Sequence, residues 1–233
     1  MLNKFLIPKK KSDITNDYVK LCFNVMCDIQ KKHESVVCNE NIKDKKLVDI
    51  YERNYILTFS YLMGMRNKTS TILNSGEFVS GELHKQVGII DKRTILYRTM
   101  ISLQKENNYY VPDFLIHKSN KREETSRDKQ LLILEAKTTN KLTSKGFNWD
   151  MFKLNLYIEK LNYNVAVFLL VNNSYDKINR LVNNFVSRYW HTEKLSMVDN
   201  RNERMHQLYF LIQENVESKP EIYEFDLTNS LKR

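Results

Sequence analysis

Tyr109-Tyr110-Val111-Pro112-Asp113-Phe114-Leu115-Ile116-His117 and, after a polar interval, Leu131-Leu132-Ile133-Leu134-Glu135-Ala136-Lys137 decide the reading of this chain. Both are short apolar runs rich in branched and aromatic residues, which predicts two buried strands joined as a hairpin. Each carries charge where a core strand should have none. Side chains alternate along a strand, so Glu135 and Lys137 share one face and Ala136 takes the other. An acid and an ammonium on an apolar strand are costly unless they pair or bind something. Asp113 brings a second acid on the neighbouring strand. The His117–Gln130 connection is polar and longer than the ~2–5 residues usual in a hairpin, which suits either a mobile segment or one that meets a substrate.

Working outward, Ser12 and Asp13 are placed to cap a helix running to about Lys32, with Tyr18, Leu21, Cys22, Val25, Met26 and Ile29 on one side. A second helix is expected from about Lys46 to Arg66, its apolar stripe made by Ile50, Ile56, Leu57, Tyr61 and Leu62, with Glu52 near its start. Phe78–Val87 reads as an edge strand carrying Glu82 and His84, and Thr94–Leu103 as a further strand. Beyond the hairpin, a helix is expected from Trp149 to about Leu161, begun by Asn148 or Asp150. Asn164–Val171 is a continuous apolar run suited to a central strand. Tyr175–Trp190 is strongly amphipathic, with Ile178, Leu181, Val182, Phe185, Val186 and Tyr189 at helical spacing. Gln207–Ile212 and Glu221–Leu227 read as late strands. The order implies an α/β fold with a central mixed β-sheet flanked by helices. Residues 1–45 are expected to form an N-terminal helical elaboration on a domain of residues 46–233, the whole being one compact unit.

Composition sets the partners. Of 233 residues, 42% are hydrophobic and 11% aromatic, enough for a packed core rather than a disordered tail. Five glycines and three prolines argue against glycine-rich phosphate loops and for long helices. The formal net charge of +9, from 37 basic and 28 acidic residues, favours a polyanion. Solubility alone would account for the same charge. Cys22, Cys27 and Cys38 form no C-x-x-C pair, which argues against a zinc knuckle and for reduced thiols in the cytoplasm. From Met1 to Lys11 a short apolar patch is followed by lysines, the wrong order for a signal peptide, and no apolar run is long enough to span a membrane, so no membrane partner is expected.

Pro112-Asp113, a spacer, then Glu135-Ala136-Lys137 resembles the signature of the PD-(D/E)XK nuclease superfamily, which has a restriction-endonuclease-like fold. The resemblance runs from about Lys46 to Val171. A looser similarity to bacterial members of the superfamily rests on Tyr51-Glu52-Arg53, Gly81-Glu82-Leu83 and Asp150-Met151-Phe152-Lys153-Leu154. The resemblance implies a metal-dependent endonuclease, a hydrolase using Mg²⁺ or Mn²⁺, acting on DNA ahead of RNA, in a setting such as restriction, defence or repair. An RNA endonuclease on the same fold and a non-cleaving nucleic-acid-binding subunit are the alternatives. It also implies roles. Asp113 and Glu135 supply metal-binding carboxylates, with the Ala136 carbonyl as a further ligand. Lys137 orients or activates the attacking water and offsets phosphate charge. Glu52 completes the metal shell, with Glu82 as its rival.

Blander accounts stand beside each of these. A Glu-x-Lys pair on a solvated strand is a surface ion pair of about 0–1 kcal/mol, although four apolar residues precede this one. Glu52 suits the first turn of any helix, and Glu82 suits an edge strand that avoids aggregation. Lys118, Lys121, Arg122, Lys141 and Lys145 flank the motif strands as candidates for backbone phosphate contacts, and Lys153 on the next helix is placed either to touch a phosphate or to approach the site. Ordinary solvated surface explains such charges equally well. Tyr109, Tyr110 and Trp149 suit core packing better than base stacking. The N-terminal helix and the late strands are candidates for a homodimer surface or for substrate recognition.

Overall fold

The computed structural model describes residues 5–31, 52–69, 77–81, 85–86, 109–118, 130–190, 208–215 and 217–226. Its strands are β1 (Leu6–Lys9), β2 (Glu77–Gly81), β3 (Lys85–Gln86), β4 (Tyr109–Tyr110), β5 (Phe114–Lys118), β6 (Gln130–Lys137), β7 (Val165–Val171), β8 (Leu208–Gln213) and β9 (Glu221–Phe225). Its helices are α1 (Asp17–Lys31), α2 (Glu52–Thr69), α3 (Ser144–Lys160) and α4 (Tyr175–Phe185), the last continuing as a wider turn over Val186–Trp190. Seven strands form one mixed sheet in the order β1-β9-β8-β7-β6-β5-β2, and β3 pairs with β4 apart from it. The chain is thus α/β, a mixed sheet flanked by helices.

The hairpin forms as expected: β5 and β6 are antiparallel, with Phe114 opposite Leu134 and Ile116 opposite Leu132. On its other side β6 runs parallel to β7, and β7 parallel to β8, with α3 and α4 in the respective crossovers. Therefore β6 is the border between the antiparallel and parallel halves. Alternation divides its side chains between two cores. Ile133 joins Phe147, Met151 and Phe152 of α3 and Phe168 of β7. Leu132, Leu134 and Ala136 join the core that α1 and α2 cover. Phe147 stacks on Phe168 with ring centres 5.4 Å apart, and Phe59 of α2 meets Phe114 edge-on at 5.3 Å. All seven residues of β7 are buried, as its position in the middle of the sheet requires.

Four features differ from the sequence reading. The stretch 109–117 is two strands, because Tyr109–Tyr110 pairs with Lys85–Gln86 and only Phe114 onward joins the main sheet. Pro112 lacks the N–H a ladder needs and lies at the break. The helix expected at Trp149 begins at Ser144, since the Thr143 hydroxyl accepts from Gly146 N at 3.1 Å and caps it. The inward stripe of α2 is Tyr55, Ile56, Phe59 and Met63, while Leu57 and Tyr61 are exposed. Packing of Phe59 on Phe114 fixes that rotation. Finally, the N-terminal segment supplies a strand as well as a helix: β1 pairs with β9, Leu6 opposite Phe225. The α1 helix starts at Asp17, where the Asn16 side chain accepts from the N–H groups of Tyr18 and Val19.

The residues expected to face inward on α1 and α4 do so. Cys22 is buried and Cys27 half-buried, both as free thiols, and burial pushes the Cys22 thiol up. Among the described residues no helix is long and apolar enough to cross a membrane. The Thr94–Leu103 strand, Cys38, His33 and His84 lie outside the described residues.

Because Phe59 anchors α2 on the sheet, Phe59→Ala is expected to cost about 3–5 kcal/mol in urea unfolding. A loss under about 1 kcal/mol would mean that this contact does not hold α2.

Candidate active site

The ladder between β5 and β6 stops one pair short of the charged end of β6. Phe114 faces Leu134, and beyond it the chain turns away through Asp113 and Pro112. The Ala136 N–H would be left without a strand partner, and the Asp113 carboxylate accepts it at 2.7 Å. Asp113 is thereby fixed beside Glu135. The Ala136 side chain lies in the opposite core, as alternation requires.

Two helices bring further charge to this corner. Glu52, the first residue of α2, accepts from Lys137 Nζ at 2.9 Å. From α3, Asp150 and Lys153 face the sheet: Lys153 Nζ lies 2.5 Å from Glu135 Oε2 and 3.0 Å from Asp150 Oδ1. Asp150 Oδ2 is 3.6 Å from Lys137 Nζ. Glu135 is fully buried, and the side chains of Asp150, Lys153 and Lys137 are 3%, 11% and 19% exposed. Glu52 is the most open at 38%.

Burial pushes the Glu135 carboxyl well above its ordinary range, and Asp113 and Asp150 add to this, while Lys153 opposes it. Burial also raises Glu52, partly offset by Lys137. For Lys137 burial favours the neutral amine, but Asp150, Glu52 and Asp113 outweigh it and the net shift is upward. Lys153 is raised for the same reason by Glu135 and Asp150. Both lysines are therefore held as ammonium ions. Four carboxylates (Asp113, Glu135, Asp150 and Glu52) then face two ammonium groups, a surplus of two negative charges when all are ionised.

The fit of a divalent cation rests on two observations. Among the described residues, Glu135 Oε1 and Asp150 Oδ2 are buried with no hydrogen-bond partner, and the Tyr157 hydroxyl is buried likewise. Orphaned carboxylate oxygens and a double negative surplus suit a hard cation. As they stand, no three His, Cys, Asp or Glu side chains among the described residues are drawn together into a ready-made ligand group.

Of the residues expected from sequence, Asp113, Glu135, Lys137, Glu52 and Lys153 come together here. Lys153 is turned inward onto carboxylates, so of its expected placements it approaches the site from the helix and does not lie on a solvated face. Lys141 and Lys145 are exposed on the segment that leaves β6 and enters α3. Lys118 ends β5 opposite Glu77. Glu82, Lys121 and Arg122 lie outside the described residues. Trp149 packs against the α3-side core, in keeping with the packing role. Asp150 and Tyr157 were missed as site residues. Their signal was the spacing Asp150, Lys153, Tyr157, which puts all three on one helical face.

Behind Lys137, side chains at the end of β7 hold the following loop. Asn172 donates to the Thr138 carbonyl at 3.1 Å and Asn173 to that of Thr139 at 3.0 Å. Asn172 adopts a left-handed backbone (φ 59°), a conformation asparagine tolerates well.

No family model matches the chain, and neither curated proteins nor solved structures show significant similarity to it.

The buried Glu135 sets a pH dependence. Its folded pKa exceeds its unfolded one, so the native protein binds more protons between the ordinary carboxylate range and the raised value. Stability without divalent cations should therefore fall as pH rises through that interval, with both lysines charged throughout. Urea unfolding in chelator from about pH 4 to pH 8 should show this fall for the wild type and a flatter profile for Glu135→Gln. Parallel profiles would contradict a raised Glu135.

Proposed function

We propose that this chain is a metal-dependent nuclease of the PD-(D/E)XK type, with a restriction-endonuclease-like fold, that hydrolyses phosphodiester bonds in DNA ahead of RNA. The observation that carries the reading is the convergence of Asp113, Glu135 and Lys137 in a corner where four carboxyl groups meet two ammonium groups. The element order α2, β2, β5, β6, α3, β7, with a hairpin followed by a parallel crossover, is consistent with it. The net charge of +9 and the exposed Lys141 and Lys145 beside the site suit a polyanionic substrate.

Asp113 and Glu135 would hold Mg²⁺ or Mn²⁺, with Glu52 as the nearby third carboxylate and the Ala136 carbonyl as a further donor. When bound there, the metal would supply Lewis-acid polarisation of the scissile phosphate and a lowered pKa for the attacking water. Lys137 acts as a cation: it donates hydrogen bonds to the water or a phosphate oxygen and offsets the charge that builds there. Its upward shift argues against a role as general base. Glu52 positions that ammonium through the 2.9 Å contact. Water attacks phosphorus, the bond to the leaving oxygen breaks, and no covalent enzyme intermediate forms.

The test is incubation of the purified chain with single- and double-stranded DNA and RNA, in Mg²⁺, Mn²⁺ or EDTA. Cleavage is expected only with a metal. Lys137→Ala and Asp113→Ala are each expected to lose about 10²–10³-fold or more in rate. Glu52→Gln, which keeps an oxygen able to accept from Lys137, is expected to lose less than Lys137→Ala. Cleavage that survives EDTA or Lys137→Ala would refute the mechanism, and binding without cleavage would favour a non-cleaving subunit.

A further inference from the structure

We infer that Lys153 is a built-in counter-ion that occupies the cation position between Glu135 and Asp150 and gives it up to the divalent ion, so that it sets metal affinity. The inference rests on the metal-dependent reading of the site.

Lys153 is placed as a bound cation would be. Its Nζ lies 2.5 Å from Glu135 Oε2 and 3.0 Å from Asp150 Oδ1, bridging carboxylates from two different elements. The side chain is 11% exposed, so the ammonium cannot serve a phosphate on the surface while it holds this pair. Nor does it exhaust the site. Glu135 Oε1 and Asp150 Oδ2 stay buried without hydrogen bonds, as does the Tyr157 hydroxyl one turn along the same helix. Lys153 thus sits between two buried carboxylates whose other oxygens make no hydrogen bond, Asp150 Oδ2 having only the 3.6 Å ion pair with Lys137, a place where a dication satisfies more than an ammonium can.

The residue type matters. Without a cation, two buried carboxylates repel each other and carry an uncompensated desolvation cost. Lysine answers both with a compact charge on a flexible stem that can swing out, whereas arginine's rigid fork would grip both carboxylates. The same contact must compete with the incoming metal. Lys153 is thus a positioning residue, distinct from Lys137, which pairs with Glu52 at the open side of the site.

The experiment is titration of Mn²⁺ into wild type, Lys153→Met and Lys153→Arg, followed by calorimetry or by the loss of free-ion electron paramagnetic resonance signal. Lys153→Met is expected to bind Mn²⁺ roughly 10- to 100-fold more tightly, the range over which groups around a metal site act. Lys153→Arg is expected to bind no more tightly than wild type. In case Lys153→Met does not fold, the wild type supplies its own readout: amine acetylation followed by mass spectrometry should label Lys153 faster when Mn²⁺ is saturating. Equal or weaker Mn²⁺ binding by Lys153→Met, or unchanged Lys153 labelling, overturns the inference while leaving the metal site in place. No Mn²⁺ binding by the wild type or either variant overturns the metal-dependent reading and the inference with it.

Discussion

The ion pair between Glu135 and Lys153 is what allows a carboxylate in the interior of this sheet. Glu135 follows five consecutive buried or half-buried residues of β6 and is itself fully buried. A lone carboxylate there would cost more than a small domain's margin of stability can bear. Lys153 brings that cost down without cancelling it, because burial still holds the Glu135 carboxyl well above its ordinary range. A hydrophobic pair of similar shape would serve stability at least as well. Charge retained at such a place is better explained by what it binds.

The fold delivers these groups by making β6 a border. Its antiparallel neighbour stops pairing at Phe114, which frees the Ala136 N–H to hold Asp113. Its parallel neighbour requires a crossover helix, and that helix carries Asp150 and Lys153 back over the strand. The opposite face receives α2, whose first residue reaches Lys137 from the far side. Three elements distant in sequence therefore meet at one strand end, the usual position for a ligand crevice in sheets of this kind. The rest of the molecule serves this placement: Phe59 on Phe114 sets α2, and Phe147 on Phe168 sets α3.

Much of this was legible in the residues. Runs such as Val165–Val171 and Leu131–Leu134 have one sensible reading, because only a central strand buries every side chain. The helical spacing of α1 and α4 likewise named their buried faces correctly. What escaped was set by tertiary contact. Leu57 and Tyr61 fit the apolar stripe of α2 on paper, but the sheet takes Tyr55, Phe59 and Met63 instead. The start of α3 was placed too late because Asn148 and Asp150 looked like its caps, whereas the Thr143 cap and the burial of Phe147 begin it at Ser144. That error hid Asp150, which looked like a helix start and is instead an inward acid of the second turn. For Lys153 the alternatives stayed open for a related reason: nothing local tells a lysine that faces solvent from one that faces a buried acid.

The most direct measurement is the anomalous signal of Mn²⁺ in crystals of the wild-type chain. A single strong peak within coordination distance of the Asp113 and Glu135 carboxylates is the expected result, with the Lys137 ammonium beside it and uncoordinated. No peak at full Mn²⁺ exposure, or a peak remote from Glu135, would contradict a metal site at the end of β6 and the nuclease chemistry built on it.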